Sequence, residues 1–299
     1  MQPTEPNTPP GSPVWRFIHH PMTLLLLSVP MVIACVVLYG AINHAMGAKT
    51  NDAAGLLSAL IGAAIFVAGY CLFVRFIERR PVGEFAPAPA AKELALGIAI
   101  GLVLFSTVIG VMAALGSYHV VGTRGAEVLP LALSMGIFPG FSEEIALRGL
   151  FFRLFERWLG SWAALALSAA FFGAGHLFNP GATWVAAVGI AFEAGIMLAA
   201  VYMITRRLWV AIGLHAAWNF AEGGIYGTPV SGLTIDGLLR PWIGGSDLVT
   251  GGAFGPEASL PAMAVATAFG VALLVIAYRR GDFIAPSWVR RRQLADAQE

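Results

Sequence analysis

Eight apolar runs of bilayer-spanning length divide this sequence, near 22–42, 54–76, 94–116, 127–152, 161–178, 183–204, 208–226 and 259–278. A hydrocarbon core of about 30 Å takes about 20 residues of helix, and only backbone that satisfies its own hydrogen bonds can stand in it. The runs predict an all-α fold, a polytopic transmembrane helix bundle of about eight spans. Composition agrees, because 58% of the 299 residues are hydrophobic and 12% are charged. A soluble domain carries about 25% charged residues, so too little polar surface remains to face water on all sides. The partner implied is the lipid bilayer. A net charge of +1 offers no field for nucleic acid, and Cys35 and Cys71 sit inside apolar runs with no disulfide or metal spacing.

Lys and Arg order the spans. With both ends on one side, that side collects Arg16, Arg75, Arg79, Arg80, Lys92, Arg153, Arg157, Arg206, Arg207, Arg279, Arg280 and Arg290–Arg292. The other side holds only Lys49, Arg124 and Arg240, and Arg148 falls within a span. The bias, 14 to 3, predicts a multi-pass cell-membrane protein with both termini cytoplasmic. The one long connection, 227–258, then lies outside the cytoplasm. It is Gly-rich, and the sequence leaves open whether it is a surface loop or a segment that dips back into the bundle.

Ionisable groups inside membrane helices are expensive and point to function. Glu143, Glu144 and Arg148 lie in the fourth run, His176 in the fifth, His215 and Asn219 in the seventh. Glu144 and Arg148 are i,i+4, so carboxylate and guanidinium meet on one helix face as an ion pair. Glu143 lies about 100° round the helix from Glu144 and is directed elsewhere, toward the bundle interior. His215 and Asn219 also share a face. Counted from the basic ends of their helices at 1.5 Å per residue, Glu143 stands about 22 Å deep, His176 about 24 Å, His215 about 12 Å and Asn219 about 18 Å. Three helices therefore bring polar groups to overlapping layers, as one polar cavity requires. Glu193 is a further acid within a span, a second-rank candidate to line that cavity or bind Arg148.

Adjacent carboxylates beside imidazoles suit the activation of water. With Arg148 holding Glu144 ionised, Glu143 is the better general base, and His176 can share in that activation. His215 and Asn219 are placed to donate to an oxyanion. A metal version uses the same residues, with Glu143, His176 and His215 as ligands of zinc (Zn) and water in the fourth position; the sequence leaves both versions open. The zinc-protease motif His-Glu-x-x-His is absent, as are the Gly-x-Ser-Gly and Gly-x-Gly-Asp motifs of other intramembrane proteases.

Glu143-Glu144-x-x-x-Arg148, Phe172-x-x-x-His176 and His215-x-x-x-Asn219, in that order on three membrane helices, resemble the three motifs of the CAAX prenyl protease 2 family. That family includes the bacteriocin-processing and immunity proteins of the CPBP group. The resemblance spans about 127–220, including the stretch from Phe192-Glu193-Ala194-Gly195 to Arg206-Arg207-Leu208-Trp209. It implies an intramembrane endopeptidase acting on membrane-associated peptides or proteins. It also implies that Glu143 and His176 activate water and that His215 and Asn219 stabilise the oxyanion. Members are commonly filed as metalloproteases, and a metal-free glutamate mechanism is also argued. The expected organisation is a polar tail (1–21), N-terminal transmembrane helices (22–120), a catalytic core (121–226), the Gly-rich loop (227–258) and a last helix with a basic tail (259–299). The Ala/Gly/Arg-rich composition and short loops suggest a bacterial inner membrane. The rival expectation is a non-enzymatic scaffold or bacteriocin-immunity protein that retains a protease fold.

Overall fold

A computed structural model describes residues 12–47 and 53–297. Most of the polar tail, and Lys49, lie outside the described residues. The helices are α1 (Pro13–Ile18), α2 (Pro21–Ala45), α3 (Ala53–Leu72), α4 (Ala90–Ala114), α5 (Leu129–Glu144), α6 (Arg153–Leu159), α7 (Ser161–Gly175), α8 (Trp184–Ile190), α9 (Ile196–Thr205), α10 (Trp209–Asn219), α11 (Asp247–Thr250), α12 (Leu260–Arg279) and α13 (Ser287–Asp296). Widened π turns extend α3 through Phe73–Ile77 and α10 through Phe220–Ile225. They also join α5 to α6 through Ile145–Phe152 and α8 to α9 through Ala191–Gly195. The fold is an all-α polytopic bundle.

Six helical stretches are long and apolar enough to cross a membrane, namely Pro21–Ala45, Ala53–Ile77, Ala90–Ala114, Ser161–Phe178, Trp184–Thr205 and Leu260–Arg279. The other two expected spans are helical but do not meet that combination of length and apolarity. They are the two that carry Glu143, Glu144 and Arg148, and His215, Asn219 and Glu222. Their neighbours shield them. Nine of the eleven residues of α10 are buried, because α10 packs between α4 and α5 with α9 alongside. Close approach depends on glycine here. A Cβ at Gly97 would stand 2.2 Å from the Val210 carbonyl oxygen, and one at Gly136 would stand 2.5 Å from that of Ala216. By contrast α2 turns Leu26, Val29, Ile33 and Val37 outward, the apolar face a lipid-contacting helix needs.

Two large apolar cores, with two smaller ones beside them, fill the bundle. One gathers Phe66, Tyr70, Ile145, Phe152, Tyr202 and Ile212, where α3 meets the α5–α6 rod and α9–α10. The other gathers Phe105, Val108, Met112, Val201, Leu214 and Trp218, where α4 meets α9, α10 and α12. At one end of the bundle lies a short antiparallel ribbon, β1 (Tyr118–Thr123) against β2 (Leu239–Ile243), with a bulge between Val120 and Gly122. It ties the Gly-rich loop to the end of α4, helped by the Tyr118 hydroxyl donating to the Tyr226 carbonyl at 2.9 Å.

The opposite end is ionic. Glu78 accepts from Arg153 and from Arg80, which also pairs with Glu84. Glu156 pairs with Arg206 and accepts from the Ser161 hydroxyl, and Glu93 pairs with Arg207. Burial opposes ionisation of Glu78, but the guanidiniums of Arg153 and Arg80 outweigh it and hold the carboxyl at about 2.

Candidate active site

Glu143, His176, His215 and Asn219 line one cavity of about 180 Å³. The adjacent carboxylates divide as the helix angle requires. The Glu144 side chain is fully buried, while that of Glu143 is 38% exposed and opens on the cavity. Glu144 Oε1 accepts from Arg148 Nη1 at 2.8 Å and from His215 Nδ1 at 2.9 Å. Arg148 is held in turn from two further directions. Its Nη2 donates to the Ala194 and Gly195 carbonyls at 2.9 and 3.3 Å, at the end of the widened turns joining α8 to α9. Its guanidinium lies over the Phe172 ring, 4.7 Å from the centroid, a cation–π contact that strengthens when water is excluded. Arg148 thus orders four helical segments round one buried charge. Glu193 does not bind it.

The two histidines are oriented by different partners. With Nδ1 donating to the Glu144 carboxylate, His215 turns Nε2 toward Glu143, 4.0 Å from its Oε2. His176 caps α7, and its Nδ1 donates to the Phe172 carbonyl at 2.8 Å. That carbonyl belongs to the last turn, where helix carbonyls lack an intrahelical donor. Nε2 of His176 is thereby left as the free ring nitrogen. Phe172 fills the space between the two imidazoles, with ring centroids 4.8 Å from His176 and 6.1 Å from His215.

Asn219 is placed by a residue that attracts no notice in the sequence. Pro139 stands inside α5 and lines the cavity. Lacking an N–H, it frees the carbonyl four residues earlier, that of Met135. Asn219 Nδ2 donates to this oxygen at 3.2 Å, which leaves its second amide hydrogen for the cavity. A proline inside a membrane helix, flanking a polar run on the next helix, is the signal that would have found this pair.

The Gly-rich loop does dip back. Val230, Ser231 and Leu233 roof the cavity, and Glu257, just before α12, completes its wall. Asn179 Nδ2 donates to the Ser231 carbonyl at 3.0 Å, and Gly232 N–H donates to the Phe254 carbonyl at 2.7 Å. Gly232 has φ +86°, and a Cβ there would stand 1.9 Å from the Pro180 carbonyl oxygen. Only glycine lets the loop lie so close to the segment after His176.

Glu143, His176 and His215, the ligands of the zinc version, all line the cavity. Among the described residues no three His, Cys, Asp or Glu side chains converge on a common metal position. Nδ1 of each histidine is held by an acceptor, the Phe172 carbonyl for His176 and Glu144 for His215, which leaves Nε2 of both free, the ring orientation that metal-ligating histidines share with catalytic ones.

Residues 125–221 match the family model described as Type II CAAX prenyl endopeptidase Rce1-like. No curated protein and no solved structure matches the chain. The matched segment begins four residues before α5 and ends two after Asn219. It therefore contains every candidate catalytic residue and leaves out Ser231 and Glu257.

Proposed function

We propose that this chain, whose residues 125–221 match the Type II CAAX prenyl endopeptidase Rce1-like family model, is a multi-pass membrane endopeptidase that hydrolyses peptide bonds of membrane-associated proteins or peptides with a water activated by Glu143 and His176. The observation that carries this reading is the convergence of Glu143, His176, His215 and Asn219 on one cavity from three helices. A half-exposed carboxylate, a free imidazole nitrogen and two donors round so small a space are the parts that hydrolysis of an acyl bond requires.

In this mechanism water sits between the Glu143 carboxylate and His176 Nε2. Glu143 takes its proton as the oxygen attacks the scissile carbonyl, and later returns it to the leaving amine. The oxyanion is met by Asn219 Nδ2 and by His215 through Nε2, when that nitrogen carries a proton. Glu144 does not touch substrate. Its carboxylate, fixed by Arg148, sets the His215 tautomer and ring plane. The apolar walls, Met135, Leu198 and Leu214 among them, exclude bulk water and strengthen each of these interactions. The basic end, which carries Arg80, Arg153, Arg206 and Arg207, is the cytoplasmic end in this reading. Both termini are then cytoplasmic and the membrane is a bacterial inner membrane.

The test is cleavage of a membrane-peptide library by the purified protein beside Glu143→Ala, each with and without chelator. Loss of a general base lowers turnover by about 10²–10⁴, so Glu143→Ala should fall to background. A variant that cleaves as well as the parent would remove Glu143 from this role. Equal turnover with and without chelator would favour the metal-free route, and abolition by chelator would favour zinc.

A further inference from the structure

The active-site cavity reaches toward one end of the bundle and is sealed from the other. The helices that wall it run on to the ionic end, and on each of them apolar side chains intervene. On the α5–α6 rod, Ile145, Leu150 and Phe152 stand between Glu143 and Arg153. On α7, Leu165 stands between His176 and Ser161. On α9, Tyr202 and Met203 stand between Leu198 and Arg206, and on α10 Ile212 stands between His215 and Arg207. All belong to the core round Tyr70, and none is more than 6% exposed. The Tyr70 hydroxyl donates to the Gly149 carbonyl at 3.2 Å, and the Glu144–Arg148 pair beside this layer is fully buried. Close-packed interiors hold few voids larger than a water molecule, so this layer gives no route from the ionic end to Glu143.

The loop side differs. α7 packs on the rod at Ile145–Phe152, where the Phe151 and Phe171 rings stand 4.5 Å apart, whereas α5 itself packs on α3 and α10. Toward the loop end the cavity occupies the space between them, with Glu143 on one side and His176 on the other. Its rim there is Asn179, Ser231 and Leu233, none of them buried. Glu257 lines the same cavity and stands just before α12, whose 20 residues end at Arg279. At 1.5 Å per residue α12 covers about 30 Å, the whole hydrocarbon core. Glu257 and the basic end therefore lie at opposite faces of the membrane. His176 likewise closes α7, whose first residue, Ser161, donates to Glu156 of the ionic end.

Resting on the hydrolase reading above and its cytoplasmic basic end, we infer that substrate reaches Glu143 from the face opposite that end, so that the bond cut lies in the extracytoplasmic half of a membrane-anchored chain. The partner this route fits is an extended peptide segment descending between α5 and the end of α7. A cavity of about 180 Å³ is too small for a turn of helix about 10 Å across, and an extended segment leaves its carbonyls free for attack. Water for hydrolysis follows the same path, past the polar rim of Asn179 and Ser231. A chain displayed only in the cytoplasm has no path to the catalytic groups.

The experiment uses the full-length protein in bacterial cells, with Cys35 and Cys71 changed to alanine and one cysteine introduced, as Glu143→Cys or Arg280→Cys. The Arg280 side chain is 55% exposed at the basic end and marks that face. A small charged methanethiosulfonate is added to intact cells or to inside-out membrane vesicles, and loss of the free thiol is read. Arg280→Cys should lose its thiol only in the vesicles, and Glu143→Cys only in the cells. Reaction of both from the same face, or of Glu143→Cys from neither, overturns the route. Reaction of Arg280→Cys in intact cells overturns the extracytoplasmic assignment. Should Glu143→Cys fail to fold, Leu233→Cys serves, on the rim and 43% exposed. A companion measurement maps, by mass spectrometry, the bonds that the parent protein cuts in single-span polypeptides of known orientation. Cuts should fall in the extracytoplasmic half and vanish with Glu143→Ala, and cuts in the cytoplasmic half overturn the inference. Glu143→Cys reacting as expected beside a parent that cuts no polypeptide would sink the hydrolase reading alone.

Discussion

The two ends of the bundle handle buried acid in opposite ways. At the ionic end Glu78, Glu84 and Glu156 each meet a guanidinium, and the charges close on themselves. At the loop end Glu193, Glu222 and Glu257 meet no arginine, and Glu257 is held instead by Trp218 and Ser231. The first arrangement is complete within the chain and serves stability. The second leaves buried carboxyls without an ion-pair partner, a cost that the first avoids. Between them the Glu144–Arg148 pair has a share in both, since it is closed in charge and yet orients His215 for chemistry.

The comparison is broken most severely at the ionic end. Arg153→Ala would leave Glu78 and Glu84 buried with one guanidinium fewer, and removal of one partner from a buried pair costs about 3–5 kcal/mol. The midpoint of unfolding in a denaturing-detergent titration should fall accordingly. Acid breaks the same pair reversibly. Because Glu78 is held at about 2 in the folded protein, below the ordinary glutamate value of about 4.3, its contribution is fully present above that ordinary value. It is lost as pH falls through about 2. The stability lost between neutral and strongly acid pH should therefore be smaller in Glu78→Gln than in the parent. At the loop end the sign reverses. Glu193→Leu removes a buried carboxyl whose oxygens have no hydrogen-bond partner, and relief of such a group is worth about 1–3 kcal/mol. A higher thermal midpoint is the expected outcome, and a destabilised Glu193→Leu would count against the contrast itself. The smallest effect is expected between the two ends. Pro139→Ala restores an N–H that competes for the Met135 carbonyl and loosens Asn219, lowering kcat by up to about tenfold with KM little changed.

Much of this was legible in the chain. Apolar run length gave the bundle, and the i,i+4 spacing of Glu144 and Arg148 gave the ion pair found at 2.8 Å. The angle between neighbouring helix residues separated Glu143 from Glu144, and helix rise brought His176, His215 and Asn219 to overlapping depths. What hydropathy overstated was the number of uniformly apolar spans. The helices that carry the site are screened by other helices, so they need less apolarity than lipid-facing ones. Glu222 and Glu257 escape notice in the sequence because each looks ordinary in its own segment, at a helix end and in a loop. Only the fold brings Glu257 back to Trp218 across 39 positions. Glu193 stands out for its place in a span, but the expected partner Arg148 takes backbone carbonyls instead.

The widened turns between α5 and α6 have a consequence for angular register. Ile145–Phe152 separates Glu143 and Glu144, which serve the cavity, from Arg153 and Glu156, which serve the ionic end. Each residue of an α-helix rotates the remainder of the rod by about 100°. Deleting a single residue within that stretch would swing Arg153 a quarter-turn or more away from Glu78 while leaving both carboxylates where they are. The rod is therefore keyed like a shaft with two cams, and the extra residues of its π turns set the phase between them.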